Sequence, residues 1–306
     1  MGQSPAAFKT GAPGPGRSMA QLTETVAIIM PAYRAGPFIA TAARSVLAQT
    51  YPHWQLHIVS DDGEDYEAVL GAAGLADPRF RFLSSGTIGG GASRARNLAL
   101  DRIDSPYAAI LDADDRFKPQ KLERAVAALA DHAIVTSALD VMDQRFTRLR
   151  CVGDGPDRPL SPAEHKFVSL SMDSMILWDR RRCDGRYDTG LTNMTDLELL
   201  MQLYRTAERS FHLGEPLHDY IKLTVSMSNG PGVTEKMIRS KQTLLQRLED
   251  GYYSMADPAG PAGIAAFLRI SLEAEAAYPA ALAARPGLLF EDHLEPLLRA
   301  ASTSAA

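Results

Sequence analysis

The sequence predicts an α/β domain on a doubly wound, largely parallel sheet, followed by a helical C-terminal extension. Three observations predict it. Short apolar, β-branched runs alternate with segments of helical apolar spacing between residues 26 and 112. Polar clusters follow three of those runs, at Pro31-Ala32-Tyr33, Asp61-Asp62 and Asp112/Asp114. In parallel sheets, ligands bind outside the carboxyl ends of strands, where such clusters fall. From residue 233 onward the apolar residues keep helical spacing.

Each element has its own reason. Residues 1–22 are rich in Gly, Pro, Ala and Ser and are expected to be a disordered leader. Val26–Met30 is a continuous apolar run, which predicts a buried first strand that Pro31 stops. Ala40–Gln49 predicts a helix, Gln55–Ser60 a strand, Tyr66–Ala73 a helix and Phe80–Ser84 a third strand. The glycines at 89–91 predict a flexible loop, Ala92–Ile103 a helix and Ala108–Asp112 a fourth strand. Lys121–Ala130 then predicts a helix and Ala133–Met142 a strand. The stretch from Val152 to Glu164 is loop-rich, and Lys166–Trp178 should return to the sheet. Asp196–Ala207 has the apolar spacing of an amphipathic helix, with Asn193 or Thr195 as candidate caps. Leu217–Val225 predicts the last strand, and the helices beyond it should break near Pro258–Pro261, Pro279 and Pro286. The domain division is therefore a leader at 1–22, an α/β domain at 23–232 and a helical extension at 233–306.

Composition narrows the function classes. The chain has 306 residues, is 45% hydrophobic and 23% charged, and carries a formal charge of −5. Such a balance offers no positive field for nucleic acid. Cys151 and Cys183 suit neither a zinc motif nor a disulfide framework, so a reducing cytoplasm is expected, up to a peripheral position at the inner face of the membrane. No apolar stretch approaches the ~18–20 residues needed to span a bilayer.

The chemistry concentrates where Tyr107-Ala-Ala-Ile-Leu-Asp-Ala-Asp-Asp115 ends an apolar strand in three acids. Asp112, Asp114 and Asp115 repel one another unless they are exposed or a cation neutralises them. Mg²⁺ or Mn²⁺ prefers such hard oxygen ligands and bridges carboxylates to phosphates. The alternative is an acidic turn that opens a helix, with Pro119 close behind.

In order and spacing, Pro31-Ala32-Tyr33, Asp61-Asp62-Gly63, Ala95-Arg96-Asn97 and Leu111-Asp112-Ala113-Asp114-Asp115 resemble the family 2 glycosyltransferases of GT-A fold. The resemblance covers roughly residues 24–227. It implies a Rossmann-like mixed sheet flanked by helices and inverting transfer from a nucleotide-diphospho-sugar. Pro31 and Tyr33 would line the nucleotide pocket, Tyr33 against the base, and Asp62 would accept from the base, most readily from uracil. Arg96 would lie near the nucleotide, while Arg94 reads as solvent-facing. Asp112 would reach the ribose or the metal, and Asp114 would hold Mn²⁺ or Mg²⁺ against the diphosphate. Asp115 would cap the following helix. Asp196 is the candidate base that deprotonates the acceptor hydroxyl. Glu198, on another helix face, and Asp188 are its rivals.

The chain departs from the family at Arg34, where Asn is common, and at Glu64, where Ser is usual. A His expected to complete the metal shell is replaced by Leu223 in the run Tyr220–Ser228. Either the metal has fewer protein ligands, or Lys222 helps to neutralise the diphosphate. His212 and His218 read as structural, and Trp178 and Met172 as core residues that could also line an acceptor pocket.

The resemblance implies a UDP-sugar donor and a glycan or lipid-linked acceptor in bacterial surface glycan assembly. The C-terminal helices would pack on the catalytic domain or join a homodimer; their basic residues are too sparse to favour a membrane-surface role. One rival is an inactive glycosyltransferase-like binding or scaffold protein, which the missing His and Glu64 support. The other is a nucleotidyltransferase. It would want a Gly-rich, basic loop directly after the first strand, where this chain has Arg34-Ala35-Gly36.

Overall fold

The computed structural model describes residues 23–168, 176–223 and 233–304. The expectations for residues 1–22, for Met172 and for residues 224–228 lie outside the described residues. The first half alternates as read: β1 (Val26–Ala32), α1 (Ile39–Leu47), β2 (Trp54–Ser60), α2 (Tyr66–Ala72), β3 (Phe80–Ser84), α3 (Ala92–Leu100) and β4 (Tyr107–Ile110). The second half is more broken: β5 (Arg116–Phe117), α4 (Lys121–Leu129), β6 (Ile134–Met142), β7 (Arg148–Val152), β8 (Arg158–Leu160), α5 (Pro162–Val168), β9 (Leu177–Asp179), α6 (Thr195–Leu203) and β10 (Ser210–Ile221). Three helices follow: α7 (Val233–Glu249), α8 (Gly260–Ala284) and α9 (Phe290–Ser304).

The strands form a mixed sheet in the order β3-β2-β1-β4-β9-β6-β10-β5, with β7 on β6 and β8 on β10. Strand β1 is parallel to β2 and β4, β2 to β3, and β6 to β10. Strand β9 is antiparallel to both β4 and β6, so β6 and β10 run in the direction of β1. Ala32, Ser60, Ser84, Ile110, Met142 and Ile221 therefore end at one edge of the sheet. That edge carries the acids.

Alternation along the buried strands sorts their side chains to two faces. Val26, Ile28 and Met30 pack with Ile39, Val46, Leu70 and Val126 of α1, α2 and α4. Ala27, Ile29 and Ile110 pack on the other face with Ala95 and Ala99 of α3 and with Leu199, Leu200 and Leu203 of α6. This second layer matters for the site, because it brings two helices about a hundred residues apart in sequence against one sheet face.

The structure corrects several local expectations. Pro31 does not stop β1; it pairs with Val59 inside the strand. Pairing of β1 with β4 ends at Ile29, one residue short of Met30, so little of the ladder is disturbed by the missing N–H. The stretch around residues 148–168 holds β7, β8 and α5, which its Gly and Pro content hid. Neither Asn193 nor Thr195 caps α6: Met194 occupies the cap in the left-handed region (φ 59°), with no side-chain cap bond. Pro279 lies inside α8 rather than breaking it. It lies at an exposed position of the helix.

The C-terminal helices pack on the α/β domain. Leu244, Leu248, Phe267, Leu268, Leu294 and Leu298 share a core with Leu139, Val141, Leu197 and Met201. Ion pairs reinforce the contact, between Arg150 of β7 and both Asp292 and Glu295 of α9, and between Lys222 and Glu291 at 3.0 Å.

Candidate active site

The site begins at the end of β1. Arg34 takes a left-handed backbone (φ 52°), and the Asp62 carboxylate accepts its N–H. Asp62 also accepts from Tyr66 Oη at 2.8 Å, Glu64 N at 3.1 Å and Ser60 Oγ at 3.2 Å. Burial alone would raise this carboxyl; the four hydrogen bonds outweigh it and hold the group below its ordinary value. Asp62 therefore organises the Tyr33–Arg34 turn. Tyr33 stands 47% exposed, with the Arg34 guanidinium 5.2 Å from its ring centre.

The neighbouring Asp61, to which the sequence reading gave no role, is buried and anchors the loop of residues 85–91. Its Oδ1 accepts from Ser85 Oγ at 2.6 Å, its Oδ2 from Gly91 N at 2.8 Å, and its carbonyl from Gly89 N at 2.7 Å. A Cβ at Gly90 would meet Thr87 Oγ1 at 2.6 Å and Asp61 Oδ1 at 3.2 Å, so a larger residue there would push on the side chains that close the loop. Gly91 (φ 98°) opens α3, so Asp61 also sets where α3 starts. The doubled Asp before Gly63 was the signal for it.

Arg96, on the buried face of α3, joins the two acidic positions that the sequence reading placed in different roles. Its Nη2 donates to Asp112 Oδ1 at 2.6 Å and its Nη1 to Asp196 Oδ1 at 3.2 Å. The residue is 4% exposed. Burial opposes its charge, but Asp196 and Asp112 more than offset that and keep the guanidinium protonated. The ring of Tyr187 lies 4.9 Å from the guanidinium carbon. Asn97, next to Arg96, clamps the Tyr187 backbone with bonds of 2.8 and 2.9 Å. Burial, with Asp196 alongside, pushes the Tyr187 hydroxyl well above its ordinary value. Tyr187 sits in an irregular stretch, so no periodicity could mark it.

Asp112 and Asp114 are both half-buried at the end of β4. Burial, then the neighbouring charge of Asp112, raises Asp114 to about 6. Among the described residues, no three His, Cys, Asp or Glu side chains form a ready metal cluster. The Asp112–Asp114 pair nonetheless suits Mg²⁺ or Mn²⁺, which take one or two carboxylates and complete their shell with phosphate and water oxygens.

The remaining expectations resolve as follows. Asp115 does not cap a helix: α4 starts at Lys121 after Gln120, and the Asp115 carboxylate turns into the core. Glu198 is buried, accepting from Gln202 and from Tyr253 Oη at 3.3 Å. Asp188 pairs with Arg247 at 2.7 Å. Both rivals to Asp196 are thus held in structural contacts. Lys222 is paired with Glu291, which disfavours a role for it on the diphosphate. His212 is a core residue, bonded to Thr136 Oγ1 and the Gly153 carbonyl, and His218 and Trp178 are fully buried. Arg94 is exposed, as read.

Comparison with known proteins bears on the family and the fold. The sequence model of Glycosyl transferase family 2 matches residues 27–150. The glycosyltransferase TuaG of Bacillus subtilis, named for teichuronic acid biosynthesis, is 28% identical over 218 residues, 67% of this chain and 81% of its own length. The UDP-Glc:alpha-D-GlcNAc-diphosphoundecaprenol beta-1,3-glucosyltransferase WfgD of Escherichia coli is 35% identical over 36% of this chain and 42% of its own. Among solved structures, S. aureus TarS 1–349 in complex with UDP-GlcNAc superposes with a TM-score of 0.62 at 14% identity, covering 89% of this chain and 78% of that one. The mannosyltransferase PcManGT from Pyrobaculum calidifontis, in complex with GDP-Man and Mn²⁺, gives 0.54 at 19% identity, covering 92% and 79%. With the ordered motifs, the mixed sheet and the sequence relatives in agreement, residues 27–150 form a family 2 glycosyltransferase domain, and the chain has the GT-A fold.

Proposed function

We propose that this chain transfers a sugar, with inversion, from a UDP-sugar to an acceptor hydroxyl in the assembly of a bacterial surface polysaccharide. The observation that carries the reading is Arg96 bridging Asp112 and Asp196, a donor-side acid and a base candidate held by one buried cation. The setting follows from relatives named for teichuronic acid and for a diphosphoundecaprenol-linked acceptor. A glycan or lipid-linked acceptor fits them. Among the described residues no helix is long and apolar enough to cross a membrane.

In this mechanism Tyr33 packs on the base at the rim, and Asp62 holds the turn that presents it. The loop anchored by Asp61 gives the nucleotide a close backbone wall. Asp112 and Asp114 would hold Mn²⁺ or Mg²⁺, which when bound supplies Lewis-acid stabilisation of the leaving diphosphate. Asp196 takes the acceptor hydroxyl proton as that oxygen bonds to the anomeric carbon and the carbon–oxygen bond to UDP breaks. Arg96 holds Asp196 in place until the acceptor arrives.

A thermal-shift panel of nucleoside diphosphates and UDP-sugars, with and without Mn²⁺, tests donor class and metal need together. UDP ligands should raise the melting temperature most, and only with the metal. Equal shifts without Mn²⁺ would remove the metal, and no shift with any nucleotide would remove the donor site. The anomeric configuration of the product by NMR decides inversion.

A further inference from the structure

Asp115 is 1% exposed, its carboxylate buried in the protein. Its Oδ1 accepts the Ile221 N–H at 2.8 Å, and its Oδ2 lies 3.2 Å from His218 Nε2. The other nitrogen of His218 lies 3.3 Å from Lys121 Nζ, which is 3.4 Å from Ser137 Oγ. Asp115, His218, Lys121 and Ser137 are all buried. The run of bonds is complete when Nε2 donates to Asp115 and Nδ1 accepts from Lys121 Nζ, an amine with hydrogens to donate in either protonation state.

Two links make this chain more than core filling. The Asp115 N–H closes the turn on the Asp112 carbonyl at 3.0 Å, so the Asp115 side chain is coupled to the turn that carries Asp112 and Asp114. At its other end, Ile221 is the last residue of β10. Pairing of β5 with β10 covers His218 and Asp219 alone, so the Ile221 N–H lies beyond that ladder, and Asp115 takes it. Lys222 N–H bonds instead to Met142 of β6.

We propose that Asp115, backed by His218 and Lys121, is a positioning residue for the donor site, tying the turn that bears Asp112 and Asp114 to the end of β10. The inference rests on the donor-site reading above. It explains the third acid of the cluster: two carboxylates face the donor and one locks their turn. It also gives a chain with Leu223 in place of a histidine a fixed strand end beside the acid pair.

The probe is UDP with Mn²⁺, measured by calorimetry below the melting temperature. Asp115→Asn keeps an acceptor for Ile221 but presents an NH₂ to His218. The ring must then turn a proton toward Lys121, and the chain of bonds fails. Affinity should fall about 10–100-fold in the folded variant, as when an outer partner of a metal ligand is lost. Adding Lys121→Met removes the conflict and should recover most of the affinity, an effect that a merely structural role would confine to the melting temperature. Ile221→Pro removes the same hydrogen bond without touching a charge, and should weaken binding whether or not Asp115→Asn folds. UDP–Mn²⁺ affinity within twofold of wild type in folded Asp115→Asn or Ile221→Pro would overturn the proposal. Failure of the wild-type chain itself to bind UDP with Mn²⁺ would overturn the donor-site reading and the proposal with it; normal wild-type binding with unaffected variants overturns the proposal alone.

Discussion

Asp114→Asn should make the metal-free protein more stable while abolishing metal-dependent donor binding. Burial and the adjacent Asp112 raise the Asp114 carboxyl from 3.8 to about 6. A carboxyl raised on folding contributes stability that is fully present below about pH 3.8 and lost as the pH climbs through about 6. Above that window the folded protein carries an ionised group that would rather be protonated. A shift of about two pH units at ~1.4 kcal/mol each sets a ceiling of about 3 kcal/mol, and solvent screening of a half-buried side chain lowers it to about 1–3 kcal/mol. Asparagine matches the shape and carries no charge. For a chain of this size ~1 kcal/mol moves the melting temperature by about 2–4 °C. The variant should therefore melt about 2–12 °C higher than wild type at pH 8 in EDTA, by circular dichroism. The gap should open between about pH 4 and 6 and stay level above. With UDP and Mn²⁺ added, wild type should gain stability and the variant should not. A variant no more stable than wild type at pH 8, or a gap independent of pH, would refute the reasoning.

Other outcomes follow from the same geometry. Asp196→Asn should keep UDP affinity within about twofold and lose about 10²–10⁴-fold in kcat; near-normal turnover would take Asp196 out of the mechanism. Arg96→Lys keeps the charge but cannot fork to Asp112 and Asp196 together, so both UDP affinity and kcat should fall, and unchanged values for both would show that the bridge is incidental. Glu198→Gln should leave turnover within about twofold, because the Glu198 side chain is held by Gln202 and Tyr253; a loss comparable to that of Asp196→Asn would exchange the two assignments.

Much of the donor half was legible because its signals are local. The first four strands and three helices are short and strongly periodic, and their observed bounds differ from the expected ones by a few residues at most. The clusters at Asp62 and Asp112 could be placed on one sheet edge because parallel strands must end together. The acceptor half was less legible. Strands β5, β8 and β9 are two or three residues long, too short for any alternation to show, and they exist because neighbouring strands offer unpaired backbone. The αL cap at Met194 breaks a composition rule that the sequence suggested would hold at Asn193 or Thr195. Asp115 was assigned by its proximity to a helix, whereas its partners are Ile221 and His218, more than a hundred residues away.

By itself the sequence determined the order of the early elements and the sheet edge on which Tyr33, Asp62, Asp112 and Asp114 gather, and it singled out Arg96 and Asp196 as candidates beside them. Hydrophobic period and motif spacing are properties of neighbouring residues, so they survive without coordinates. Only the tertiary structure decided that Asp115 is buried while Asp112 and Asp114 stay half-buried, and that Arg96 pairs with Asp112 and Asp196 at once. Those contacts depend on α3 and α6 packing against the same face of the sheet, and no stretch of sequence contains both helices.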